Sequence, residues 1–131
     1  MEDNFKIEIV SPERIIYSED VKMVTLSSYE GDMSILKDHI SIITFLRPGI
    51  TKVQKSEGNF EEFFLEDGTV EFFNNSLVVL SASAANIKDL SKEFLDNLVT
   101  ETQNKISEKD LSDHDRYLLN HKLDVIKEIR I

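Results

Sequence analysis

The sequence predicts an all-β N-terminal sandwich of two packed antiparallel sheets over residues 1–86, followed by an α-helical hairpin, an antiparallel two-helix unit, over residues 87–131. Three observations carry that prediction. Short runs rich in β-branched and aromatic residues fill the first two thirds of the chain, turn signals fall between them, and after Asn86 the apolar residues recur at helical spacing. Many short strands at such intervals indicate a sandwich or a barrel.

The expected strands are FKIEIV (5–10), VKMVTL (21–26), ISIITFL (40–46), ITKV (50–53), FEEFFL (60–65), TVEFF (69–73) and LVVLSA (77–82). In the first, Phe5, Ile7 and Ile9 share one face, as a half-buried strand requires. Ser11-Pro12, Glu30-Gly31-Asp32, Arg47-Pro48-Gly49, Glu57-Gly58-Asn59, Asp67-Gly68 and Asn74-Asn75-Ser76 supply the turns. Beyond Asn86, Phe94, Leu95, Leu98, Val99, Thr102 and Ile106 form one helical stripe, and Leu118, Leu119, Leu123, Val125, Ile126 and Ile129 form a second. SEKDLSD separates them, with Ser112 and Asp115 spaced as a capping box. Each helix of about 17 residues spans roughly 25 Å and is marginal alone, so the two need each other or a partner.

Composition narrows the function. At 131 residues the chain is the size of one ordinary domain or two small ones, and 40% apolar content fills a core without disulfides or a structural metal. Cysteine is absent, which excludes disulfides, thiolate zinc sites and cysteine nucleophiles. The acidic start, MEDNFKIEIV, lacks the basic and apolar segments of an export signal, so no secretion or transit sequence is expected and a reducing cytosol fits. No apolar run approaches the roughly eighteen residues of a bilayer span, so direct membrane insertion is not expected. A net charge of −10 opposes nucleic acid. The acidity is uneven: residues 1–86 carry 15 acidic and 7 basic side chains, residues 87–131 carry 10 and 8.

EGDMSILKDH, residues 30–39, concentrates charge around an apolar centre and admits three readings: a catalytic cluster, a metal loop or a docking edge. In isolation Asp32, Asp38 and His39 also read as solvated loop residues. His114 and His121 are seven residues apart, about 10 Å along a helix, too far to ligate one ion together, so no metal site is expected. No serine sits in a Gly-x-Ser-x-Gly setting, and no catalytic residue is assigned. Asn74-Asn75-Ser76 has the form of a glycosylation sequon but fits a hairpin turn. Phe60, Phe63, Phe64, Phe72 and Phe73 have few basic neighbours and read as core and inter-sheet packing, not as a base-stacking platform.

The order of these signals resembles the epsilon subunit of rotary (F-type) ATP synthases, over essentially the whole chain. FKIEIVSPER, EGDMSILKDHISIITFLRPG and FFLEDGTVEFFNNSLVVLSASA carry the resemblance, most specifically Glu30-Gly31-Asp32, then His39 after six intervening residues, and Leu46-Arg47-Pro48-Gly49. Two departures stand out. Ser27-Ser28 and Ser34 replace a proline-glycine pair and a glycine of many relatives. NIKDLSKEF opens a first helix without arginine, where some relatives bind ATP through isoleucine-aspartate and arginine-alanine pairs, so no nucleotide site is assigned and no cofactor is expected.

The resemblance implies a non-catalytic central-stalk rotor subunit that binds the gamma subunit and the membrane c-ring and couples proton flow to ATP synthesis. It implies a c-ring docking edge at Glu30, Gly31 and Asp32 with His39 flanking. It also implies a regulatory hairpin that reaches the alpha and beta subunits through Arg116, Lys122, Lys127 and Arg130. Because these cations stand among Asp113, Asp115, Asp124 and Glu128, inhibition of ATP hydrolysis is expected to be weak. The implied location is peripheral, on the cytoplasmic face of a bacterial inner membrane, with a plastid thylakoid as the lesser option. The alternative from another class is a free-standing acidic β-sandwich that binds a basic protein or a cation.

Overall fold

A computed structural model describes residues 3–129, which divide into two compact units, 3–86 and 87–129. The first contains ten strands: β1 (Phe5–Val10), β2 (Ile15–Val21), β3 (Met23–Ser28), β4 (Gly31–Leu36), β5 (Ile42–Leu46), β6 (Gly49–Ser56), β7 (Asn59–Leu65), β8 (Gly68–Phe73), β9 (Ser76–Leu80) and β10 (Ala85–Asn86).

Hydrogen-bonded pairing runs β10-β7-β6-β3-β5-β8-β9-β1-β2, with β4 on the side of β3. The step from β3 to β5 rests on a single residue pair, Ser28 with Leu46. There the path folds into two five-stranded layers, β10-β7-β6-β3-β4 and β5-β8-β9-β1-β2. Closure is visible in the side chains: β2 lies against β6, and the Tyr17 ring sits 4.9 Å from that of Phe63 on β7. Ile7, Ile9, Val24, Leu26, Val53, Val70, Leu77 and Val79 have no exposed surface and fill the space between the layers. Burial of such apolar area is the main stabilising term of a domain without crosslinks.

The sandwich departs from the expectation in several places. Eight of the nine neighbouring strand pairs are antiparallel, but β1 runs parallel to β9, Ile7 beside Leu77 and Ile9 beside Val79. Residues 21–26 are not one strand, because Val21 ends β2 and Met23 begins β3. Three strands, β2, β4 and β10, were not expected. Phe63, Phe64 and Phe72 are buried as predicted, whereas Phe60 and Phe73 are 40% and 65% exposed. The Phe60 ring instead lies under the Lys52 ammonium, 4.4 Å from its centroid.

Asn74 and Asn75 both have positive φ, 50° and 61°, and join β8 to β9 as a two-residue turn with Phe73 opposite Ser76. Asparagine tolerates that left-handed backbone, and two such residues in succession match the twist of the strands they connect. The sequon therefore forms the expected hairpin turn.

In the second unit a 3₁₀ turn (Ile87–Asp89) leads to α1 (Lys92–Ile106) and α2 (Asp113–Glu128), 15 and 16 residues long. Ser91 and Ser112 cap them by accepting hydrogen bonds from the Phe94 and Asp115 amides, each at 3.0 Å. Each such cap satisfies an amide that the helix leaves open. α1 and α2 pack on each other. Leu95, Leu98 and Thr102 of the first stripe and Val125 and Ile126 of the second are buried, while Phe94 is 48% exposed and stands off its stripe.

Candidate docking surface

Ser28 Oγ builds the turn between β3 and β4, donating to the Gly31 carbonyl at 2.7 Å and accepting from the Glu30 amide at 3.2 Å. Gly31 has φ of 120°, a region that L side chains rarely adopt. The turn leaves the Glu30 side chain in solvent. Asp32 is 73% exposed, with the Arg47 guanidinium 3.5 Å from its carboxylate. Arg47 in turn donates from Nε to Ser27 Oγ at 3.0 Å. Asp32 of the expected docking edge thus already faces a cation of the same chain.

His39 is not part of that group. The expected docking edge at residues 30–39 is not one loop, because Gly31–Leu36 form β4 and pair along the whole of β3. The six-residue strand β4 therefore separates Glu30 from His39, a span of roughly 20 Å, and Asp32 lies near the Glu30 end of that strand. His39 packs its ring edge-on against Phe72 with centroids 5.8 Å apart, and its Nδ1–H donates to the Ile40 carbonyl at 2.7 Å. Next to it Asp38, at φ 66°, is held by Asn75: the Asp38 amide donates to Asn75 Oδ1 at 2.7 Å, and Asn75 Nδ2 donates to Asp38 Oδ1 at 3.0 Å. These contacts give His39 a structural place at the opposite end of the sandwich.

An apolar field on the outer face of the second layer was missed at the sequence level. Ile43 and Phe45 of β5, Phe73 of β8 and Leu80 of β9 are 69%, 58%, 65% and 51% exposed. At the Glu30 end this field runs into an open groove of about 500 Å³ lined by Val10, Pro12, Tyr29, Phe45, Thr69 and Leu80. Contiguous exposed apolar surface of this kind marks an interaction site. The signal was present in ISIITFL, where Ile43 and Phe45 alternate with Ile42 and Thr44. Apolar residues at both phases of that alternation mean that both faces of the strand are apolar.

In the hairpin the expected basic residues differ in availability. Lys127 is exposed, Lys122 is buried at 7%, and Arg116 Nη1 donates to the Ile106 carbonyl at 2.6 Å. Arg130 lies outside the described residues. Among the described residues no group of three potential metal ligands converges.

The chain is thus a β-sandwich with an apolar sheet face and an acidic turn, followed by a helical hairpin. Residues 4–87 match the family of the ATP synthase delta/epsilon chain β-sandwich domain. Over 130 residues the chain is 46% identical to the ATP synthase epsilon chain of Pelagibacter ubique, covering 98% of this chain and 99% of that one. It is 31% identical to the epsilon chain of Parvibaculum lavamentivorans, covering 99% and 98%. Among solved structures, a chain of the Euglena gracilis mitochondrial ATP synthase OSCP/F1/c-ring assembly superposes with a TM-score of 0.74 at 19% identity, covering 95% of this chain and 78% of that one. A chain of the Tetrahymena thermophila mitochondrial ATP synthase central stalk and c-ring gives 0.64 at 12%, covering 94% and 93%. These two likenesses are of fold. The chain belongs to the ATP synthase epsilon chain family. Epsilon chains are non-catalytic subunits of the synthase.

Proposed function

We propose that this chain is the rotor subunit that binds the gamma subunit and the c-ring together, so that proton flow through the ring is coupled to ATP synthesis on other subunits. The observation that carries this reading is that one sandwich presents two chemically distinct surfaces: the apolar outer face around Ile43, Phe45 and Leu80, and the acidic turn at Glu30 and Asp32. The apolar face suits a permanent partner such as gamma. The turn, with Gly31 allowing close backbone approach, suits the polar loops of the ring. A single exposed ion pair contributes only about 0–1 kcal/mol, so a broad footprint has to hold the rotor under load. The acidic balance of residues 1–86 favours a cationic counter-surface and speeds encounter with it.

The close-packed sandwich suits transmission of torque, because such interiors resist compression. The hairpin is read as a regulatory element that touches alpha and beta, with weak effect, since Lys122 is buried and Arg116 is engaged by a backbone carbonyl. No described helix is long and apolar enough to cross a membrane; on this reading the chain reaches the cytoplasmic face of the bacterial inner membrane through its partners.

The deciding experiment is a pull-down of the tagged full chain from detergent-solubilised membranes, with co-eluting chains identified by mass. Gamma and c-ring subunits are expected. Elution of the chain with an unrelated basic protein alone would favour the free-standing binding module instead.

A further inference from the structure

Strand register on the outer face of the second layer places one residue of each strand in a row: Ile43 opposite Glu71, Glu71 opposite Val78, Val78 opposite Glu8. Paired residues project to the same side of a sheet, as do residues two apart along a strand. Glu71 is therefore bounded by Ile43 and Val78 across the sheet and by Thr69 and Phe73 along its own strand, in the middle of the apolar field. It is exposed. Among the described residues neither Glu71 nor Glu8 makes an ion pair or side-chain hydrogen bond.

A carboxylate in that position weakens any purely apolar contact. Covering it strips its water, and the loss is recovered only if the partner supplies a cation at the same spot. Charge complementarity therefore singles out a partner carrying one arginine or lysine within an apolar ring.

We infer that Glu71 is the residue that selects the partner of this face: the partner seats an arginine or lysine against Glu71 while its apolar side chains cover Ile43, Phe45 and Phe73. The inference rests on the reading of gamma as the occupant and names the chemistry by which gamma is recognised.

The test is the affinity of the full chain for the gamma subunit of the same synthase, purified in complex with alpha and beta, over 0.05–0.5 M salt. Glu71→Gln is close to isosteric at an exposed position, so it keeps the fold, and Glu57→Gln in the β6–β7 turn is the charge control. Glu71→Gln is expected to weaken binding roughly 10- to 100-fold and to flatten its salt dependence, with Glu71→Lys weaker still. Glu57→Gln is expected to bind as the wild type does. If Glu71→Gln binds as tightly as wild type, with the same salt dependence, the inference fails while gamma docking stands. If the wild type itself does not bind the complex, gamma docking fails and the inference with it.

Discussion

Arg47 and Ser27 meet where the two layers join: the Arg47 amide donates to the Ser27 carbonyl at 3.1 Å and its Nε to Ser27 Oγ at 3.0 Å. The guanidinium is thereby fixed at the end of the sandwich, with the far nitrogen 3.5 Å from Asp32. Substituting Asp32→Arg sets two cations side by side at an exposed site, a cost to stability of less than about 1 kcal/mol. Proton pumping by vesicles carrying this variant is expected to fall while the isolated chain keeps its melting temperature within a few degrees. Undiminished pumping would remove the turn from the docking surface.

The same join constrains Gly49. A Cβ built there lies 2.5 Å from the Ser27 Cβ and 2.7 Å from its Oγ, and Ser27 cannot turn away without giving up Arg47. Gly49→Ala is expected to destabilise the sandwich by about 1–3 kcal/mol, read as a lower urea midpoint at unchanged slope.

Phe63 is 1% exposed and packs on Tyr17 from the other layer. Phe63→Ala leaves a cavity between the layers and is expected to cost about 3–5 kcal/mol in chemical denaturation. A loss below 1 kcal/mol would mean that the layers do not depend on this contact.

Burial of the Tyr17 hydroxyl, and then the facing Glu61 carboxylate, holds its phenol well above the ordinary tyrosine range. In the unfolded chain the phenol ionises near pH 10. Its contribution to stability is therefore complete below about pH 10 and is lost as the pH rises from there toward the folded value, because the unfolded state releases the proton first. Absorbance titration is expected to show one of the three tyrosines ionising late, and Tyr17→Phe is expected to remove that late step and lessen the alkaline loss of stability. Simultaneous titration of all three would contradict it.

Removal of residues 87–131 is expected to leave ATP hydrolysis by the assembled complex nearly unchanged, since Arg116 and Lys122 are withdrawn from the surface by a carbonyl and by burial. A several-fold rise in hydrolysis would show strong inhibition by the hairpin.

Legibility in the sequence followed the strength of local patterning. β1 and both helices stand out by their apolar spacing, and β6 to β9 by runs of β-branched and aromatic residues bounded by turn residues. β2 was hidden by Ser18, Glu19 and Asp20, which face solvent on an edge strand and break the alternation. β4 is short and carries Gly31, Asp32 and Ser34 among only three apolar residues, between charged turns, so its alternation of Asp32 and Ser34 with Met33 and Ile35 is weak. Two-residue β10 lies below what periodicity can register. Pairing partners are long-range, so neither the separation of His39 from Asp32 nor the field around Glu71 could be read without the register. Phe73 shows the limit plainly: it stands beside buried Phe72, and only the sheet decides which of the two faces inward.

The parallel seating of β1 against β9 governs the order in which the molecule can be made. β1 can pair with β2 as soon as that strand has been made, but the partner of its other edge, β9, lies some seventy residues downstream, so that edge stays open until the β8–β9 hairpin has emerged. Such distant pairing slows folding and prolongs the life of an open edge. The acidic and basic side chains interspersed along β1, at Lys6 and Glu8, keep that waiting segment from sticking to other nascent chains.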